Sequence, residues 1–219
     1  MQRDKVREAL AQGAPPGLDF YYADEDAAAF WRRAGSAPEW AAVVEEIRAE
    51  GGRLLGEPAP ELTYSLFAIF ADRGTRLEYE HVYFVRRRRL NTFALLALLE
   101  PDERAYLAAL CDIVWSVCNE YTWCLPAHLS GSGAAIRSAI DLFSAETGFA
   151  LTEIALLLGD RLPPLLRERI AEEVEARLFT PYLTRGPYGW ETARHNWAAV
   201  CAGSIGAAAL LAIRDADRL

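Results

Sequence analysis

At 219 residues the chain has room for one substantial domain, or two small ones, with a real hydrophobic core. Its formal charge of −8, from 31 acidic and 23 basic residues, excludes a global field that would draw it to nucleic acid or an anionic membrane. The first residues, MQRDKVREALAQGAPPG, are charged and lack the apolar stretch of a secretory signal, and the apolar runs at 93–99 and 207–213 fall short of the roughly 20 residues that cross a bilayer. These features lead us to expect a soluble, cytoplasmic protein with no nucleic-acid or membrane partner, built as a single helical domain over 1–219 with residues 1–20 poorly ordered.

From residue 23 onward apolar residues recur at helical spacing, and no run alternates with period two for long enough to require a sheet. The expected class is all-α. Asp24 or Asp26 would cap a helix carrying Phe30 and Trp31. Ser36 would cap the next, with Pro38 near its first turn, Trp40, Val43, Val44 and Ile47 at helical spacing, and Gly51 with Gly52 weakening or ending it. GEPAPEL (56–62) reads as a connector, and LTYSLFAIFADRG (62–74) as a short helix closed by Gly74.

The segment 75–101 is rich in aromatics at Tyr79, Tyr83, Phe84 and Phe93. We expect helix or irregular structure first, then helix from about 87 to 99, ending before Pro101. Asp102 would cap a helix through Tyr106, Leu107, Leu110, Ile113, Val114, Val117 and Cys118. NEYTWCLPAHLSGSGAAI (119–136) contains Pro126 and Gly-Ser-Gly, which mark a loop or broken helix and the best loop-borne site in the middle of the chain. A helix from about 136 to 158 stops at Gly159, Pro163 and Pro164 open an amphipathic helix ending near Phe179, and a last helix follows His195. That last helix is made of Ala, Gly, Leu and Ile, which implies tight packing. Short connections suggest consecutive antiparallel hairpins around one core, and a bundle, a solenoid or a toroid satisfies them equally.

The cysteines at 111, 118, 124 and 201 lack CxxC spacing, so buried reduced thiols are expected, with no metal site and no cofactor.

Three motifs narrow the fold: RLEYEHVYFVRRRRL (76–90), WSVCNEYTWCLPAHL (115–129) and WETARHNWAAVCAGSIGAAALLAI (190–213). In this order they resemble the N-terminal helical, alginate lyase-like domain of heparinase II/III-like proteins. IDLFSAETGFALTEIALLLGD (140–160) resembles the same family, so the likeness covers most of the chain from about residue 62. The resemblance implies an incomplete (α/α) toroid with a groove for acidic polysaccharide, joined in complete members to a C-terminal β-sandwich domain that this chain lacks.

Family lyases cut uronate-containing glycans by β-elimination, with the carboxylate neutralised, a base at the C5 proton and an acid at the leaving oxygen. Their catalytic His or Asn and Tyr lie mostly downstream of the NWxxVCxG helix, whereas here six residues follow Ile213. The expectation is therefore a polysaccharide lyase domain with an incomplete catalytic set and no assignable catalytic residue. The alternative is a noncatalytic helical module that binds carbohydrate or another protein, and an open groove edge would favour self-association.

Candidate substrate-binding residues fall in two segments. His195, Asn196 and Trp197 stand at a helix entrance, where unpaired N–H groups and the positive dipole end suit polar ligands. Their structural alternative is an Asn cap and a buried Trp that lock neighbouring helices. Glu120, Tyr121, Trp123 and His128 bring an acid, a phenol, a stacking surface and an imidazole to the central loop, for groove lining rather than catalysis. Arg86 to Arg89 fan around a helix, so at most one or two would meet a ligand, the others being solvated or paired with acids such as Glu78 and Glu80. Glu173 and Arg177 belong to what reads as a solvated charged face, opposite a core stripe of Leu166, Ile170, Val174 and Leu178.

Overall fold

The computed structural model describes residues 5, 8, 18–23, 25–131 and 133–215, all of its regular structure helical. Most of the 1–20 segment and Asp24 lie outside the described residues. Asp26 opens the first long helix, α1 (Ala27–Ser36), its carboxylate accepting the Ala29 N–H at 2.9 Å. Ser36 caps nothing ahead of it: it ends α1, donating its hydroxyl back to the Arg32 and Arg33 carbonyls. A single 3-10 turn at Pro38–Trp40 then leads into α2 (Ala41–Leu55).

Gly51 and Gly52 do not end α2. Gly51 is the point where α2 touches the next long helix, since a Cβ there would lie 2.1 Å from Leu96 Cδ1. Of the expected apolar stripe Val44 is buried while Trp40 and Val43 are exposed, and Gly51 and Leu54 complete the buried face.

Helix α3 (Tyr64–Arg73) starts at Thr63, whose hydroxyl accepts the Leu66 N–H, and stops at Gly74 in the left-handed region at φ 71°. The next helix, α4 (Leu77–Leu99), begins ten residues before the expected start. Tyr79, Tyr83, Arg86, Leu90 and Phe93 share one face at spacings of four and three, with an arginine in the middle of it, and from Arg89 to Leu98 burial spreads around the axis, so the stripe is masked in the sequence. Helix α5 (Arg104–Cys118) is capped by Glu103, one residue past the expected Asp102.

After the loop, residues 134–137 form a separate helical turn, and α6 (Leu142–Leu158) starts at Asp141 with a reciprocal capping box to Ser144. The expected single helix from 136 is broken there because the Asp141 carboxylate takes over the free N–H groups. Helix α7 (Pro164–Val174) continues through a π turn at Glu175–Phe179 into α8 (Thr180–Arg185), six residues beyond the expected end. A last helix, α9 (Trp197–Ala212), follows a short turn at Gly189–Thr192.

The interior is organised by α4 and α6. Helix α4 packs on α1, α2, α3, α5 and α6, while α6 packs on α4, α7 and α9. Their contact faces supply Leu90, Phe93, Leu151 and Leu158 to the main core, and each fully buried Leu or Phe contributes about 1.5–3 kcal/mol. A small satellite core of Tyr79, Tyr83 and Leu125, with Leu62, Leu66 and Phe67 against it, lies where α3 meets α4. Among the described residues, Leu142–Arg161 is long and apolar enough to cross a membrane by length and composition, a candidate that the apolar runs alone did not show. It forms the centre of the helical packing here.

Candidate functional site

An open cleft of about 760 Å³ lies between the start of α3, the face of α4 and the loop after α5. Thr63 begins α3 at its edge, so Tyr64, the first helical residue, is carried out into solvent at 83% exposure. Tyr121 faces the cleft from the loop, half exposed, with its ring edge-on to Phe67 at 5.7 Å. Phe67 also meets Tyr79 edge-on at 6.4 Å, so aromatic residues run from mouth to floor.

Beneath the mouth, Tyr79 is 3% exposed, and its hydroxyl bonds to none of the described residues. Burial first, and then the Glu120 carboxylate, push this phenol well above its ordinary range, which keeps it protonated as a donor. Ser116, Asn119 and Thr122 add polar groups to the lining.

Glu120 also lines the cleft, but both of its oxygens are occupied. Arg86 Nε donates to Oε1 at 2.8 Å, and Arg87 donates to Oε1 at 2.9 Å and to Oε2 at 2.6 Å. Arg86 completes its shell with the Pro60 carbonyl and the Ser116 hydroxyl, each at 2.8 Å. Burial works against the Arg87 cation, yet Glu120 outweighs it, so the guanidinium stays charged beneath the loop. The Arg86 to Arg89 run thus finds its acid across the fold in Glu120, while Glu80 pairs with Arg76 instead. Two consecutive arginines reach one carboxylate because Glu120 sits over the helix surface between them.

Trp123 is in the core at 1% exposure, its indole N–H donated to the Val117 carbonyl, and it cannot offer a stacking face to a ligand. Arg177 lies over that ring at 4.8 Å and donates to the Glu120 carbonyl at 2.7 Å. Arg177 also bonds Glu173, and both side chains are buried, which corrects their expected place on a solvated face. The π turn that carries Arg177 points it inward under the loop.

The other candidates gather elsewhere. His128 hydrogen-bonds Asp141 at 2.8 Å, stacks on Phe143 at 5.9 Å and meets the Trp197 ring at 4.8 Å. His195 also meets the Trp197 ring, edge-on at 5.6 Å. Two segments 67 residues apart in numbering are therefore joined by one half-buried indole. Asn196 is exposed and its side chain caps nothing; the Trp197 N–H is taken by His195 Nδ1 at 3.2 Å. Asp141 is fully used, accepting from Leu125 and Ser144 besides His128, so this cluster ties the loop to α6 and α9.

Of the expected residues, the cleft brings together only Glu120 and Tyr121. It adds Tyr64, Phe67 and Tyr79, which sequence reasoning missed. None of the three carried a signal: Tyr64, Phe67 and Tyr79 look like ordinary helix aromatics in the sequence until their partners are known. Among the described residues no three His, Cys, Asp or Glu side chains are placed to hold a metal. No protein-family model matches the chain, and no curated protein matches it.

Proposed function

We propose that the protein is a noncatalytic carbohydrate-binding helical module whose ligand lies in the cleft between α3 and the 119–136 loop. The observation that carries this reading is the pair of exposed rings, Tyr64 and Tyr121, at the mouth of a cleft of about 760 Å³ lined also by Asn119, Ser116 and Thr122. Sugar rings present apolar C–H faces and polar rims, and an aromatic wall beside hydroxyl and amide groups matches both. The Glu120 carboxylate is consumed by Arg86 and Arg87, which suits it to holding the loop rather than transferring protons.

The resemblance to heparinase II/III-like proteins accords with this reading: an incomplete (α/α) ring of antiparallel hairpins would place such a cleft along its groove. Titration calorimetry with neutral and uronate-containing oligosaccharides tests it. Binding is expected, with Tyr64→Ala and Tyr121→Ala each weakening it about tenfold, or ~1.4 kcal/mol. Unchanged affinity in both variants removes the reading.

A lyase reading stands second, favoured by the Arg86 cation and the Tyr79 and Tyr121 phenols in one cleft. It requires ultraviolet absorbance from an unsaturated uronate product when heparin, heparan sulfate or alginate is supplied. No such signal leaves the binding module alone.

A further inference from the structure

We propose that the cleft selects sugars bearing an acetamido group, with the Tyr79 hydroxyl donating to the amide carbonyl. This rests on the carbohydrate reading above and specifies its ligand. Tyr79 is nearly sealed at 3% exposure, lines the cleft, and has a hydroxyl that no described residue accepts. A phenol O–H on the wall of a cleft that no described residue accepts is free to donate to a ligand acceptor.

The surroundings decide which acceptor fits. Leu62 and Phe67 pack against the Tyr79 cluster and make that part of the lining apolar, so a bare hydroxyl would meet carbon beside the phenol. A carboxylate would face Glu61 and Glu120, the latter close enough to raise the Tyr79 phenol, and the Arg86 and Arg87 cations do no more than balance those two charges. An acetamido substituent is neutral, places a methyl against the apolar lining and offers a carbonyl to the phenol. Its amide N–H can donate to Oδ1 of Asn119, a residue that is exposed on the same cleft and also accepts from Arg169 at 3.4 Å.

Titration calorimetry with triacetylchitotriose and cellotriose, which share a backbone and differ in the acetamido group, tests the proposal. The wild-type chain is expected to favour triacetylchitotriose about tenfold. Tyr79→Phe should lower that affinity about tenfold, to the level of cellotriose, and because the hydroxyl holds no protein partner the variant should melt at the wild-type temperature. Equal affinity for the two sugars, or a preference that survives in Tyr79→Phe, overturns the acetamido assignment. If the sugars bind equally and Tyr121→Ala weakens both about tenfold, the carbohydrate reading stands without it; if neither sugar binds, both fall.

Discussion

Gly148 shows how little space a single position in this core leaves. A Cβ built on it would sit 2.1 Å from Leu178 Cδ1 and 3.0 Å from Leu178 Cγ, with the Trp123 ring at 3.6 Å behind. Leu178 is fully buried and cannot swing away, so Gly148→Ala is expected to destabilise the protein by about 1–3 kcal/mol. Gly203 is the contrast: nothing lies within 4 Å of its Cβ position, although it sits in mid-helix. Gly203→Ala should therefore stabilise by roughly 0.5–1 kcal/mol, because only the backbone entropy of glycine is removed. Urea denaturation of the two variants checks both signs, and a stabilised Gly148→Ala would refute the close approach of α6 to the π turn. The small-residue run of α9 suggested tight packing throughout, but its glycines face outward and Cys201, Ile205, Ala208 and Leu211 make the contact. Which side of a uniformly apolar helix is inward depends on its neighbours, and composition cannot say.

Helix ends were the most legible elements, because a cap is a contact between residues two or three apart. Asp26 and Gly74 stand where that local chemistry places them, while the cap at Thr63 falls inside the segment expected to be helical. Ser36 and Asp102 were misplaced for the same reason, since Ser bonds back into its own helix as readily as forward, and Glu103 competes with its neighbour for the same N–H groups. Asp141 reaches further than a cap. Its carboxylate accepts from Ser144 at 2.8 Å, from Leu125 at 3.2 Å and pairs with His128 at 2.8 Å, joining α6 to the central loop. Asp141→Ala should cost about 3 kcal/mol, the sum of a lost cap and a buried charged acceptor, while Asp141→Asn should retain part of the cap. The two variants should also differ in amide exchange at Leu125, and equal protection of that amide in Asp141→Ala and the wild type would show that the carboxylate does not anchor the loop.

Across the whole molecule, burial sets the response to alkali. The thiols of Cys118 and Cys201 are pushed up from 9.0 to about 12, first by burial and then by nearby carboxylates, and burial raises Cys124, Tyr79 and Tyr83 as well. The folded chain holds these protons more tightly than the unfolded chain. Their contribution is thus fully present below pH 9 and is lost as pH rises from there through about 12. The urea midpoint should fall steadily over that range, and a midpoint independent of pH would show that the thiols and phenols are not buried. The all-helical class, several helix ends and the broken loop at 119–136 follow from the sequence by itself, because periodicity, caps and breakers act within a few residues. Tertiary structure alone decided that Arg86 and Arg87 share Glu120, that Trp123, Glu173 and Arg177 are interior, and that Tyr64, Phe67, Tyr79 and Tyr121 meet in one cleft. Most of these contacts join segments tens of residues apart, and only the packing of α3, α4, α5 and the π turn after α7 brings them within reach.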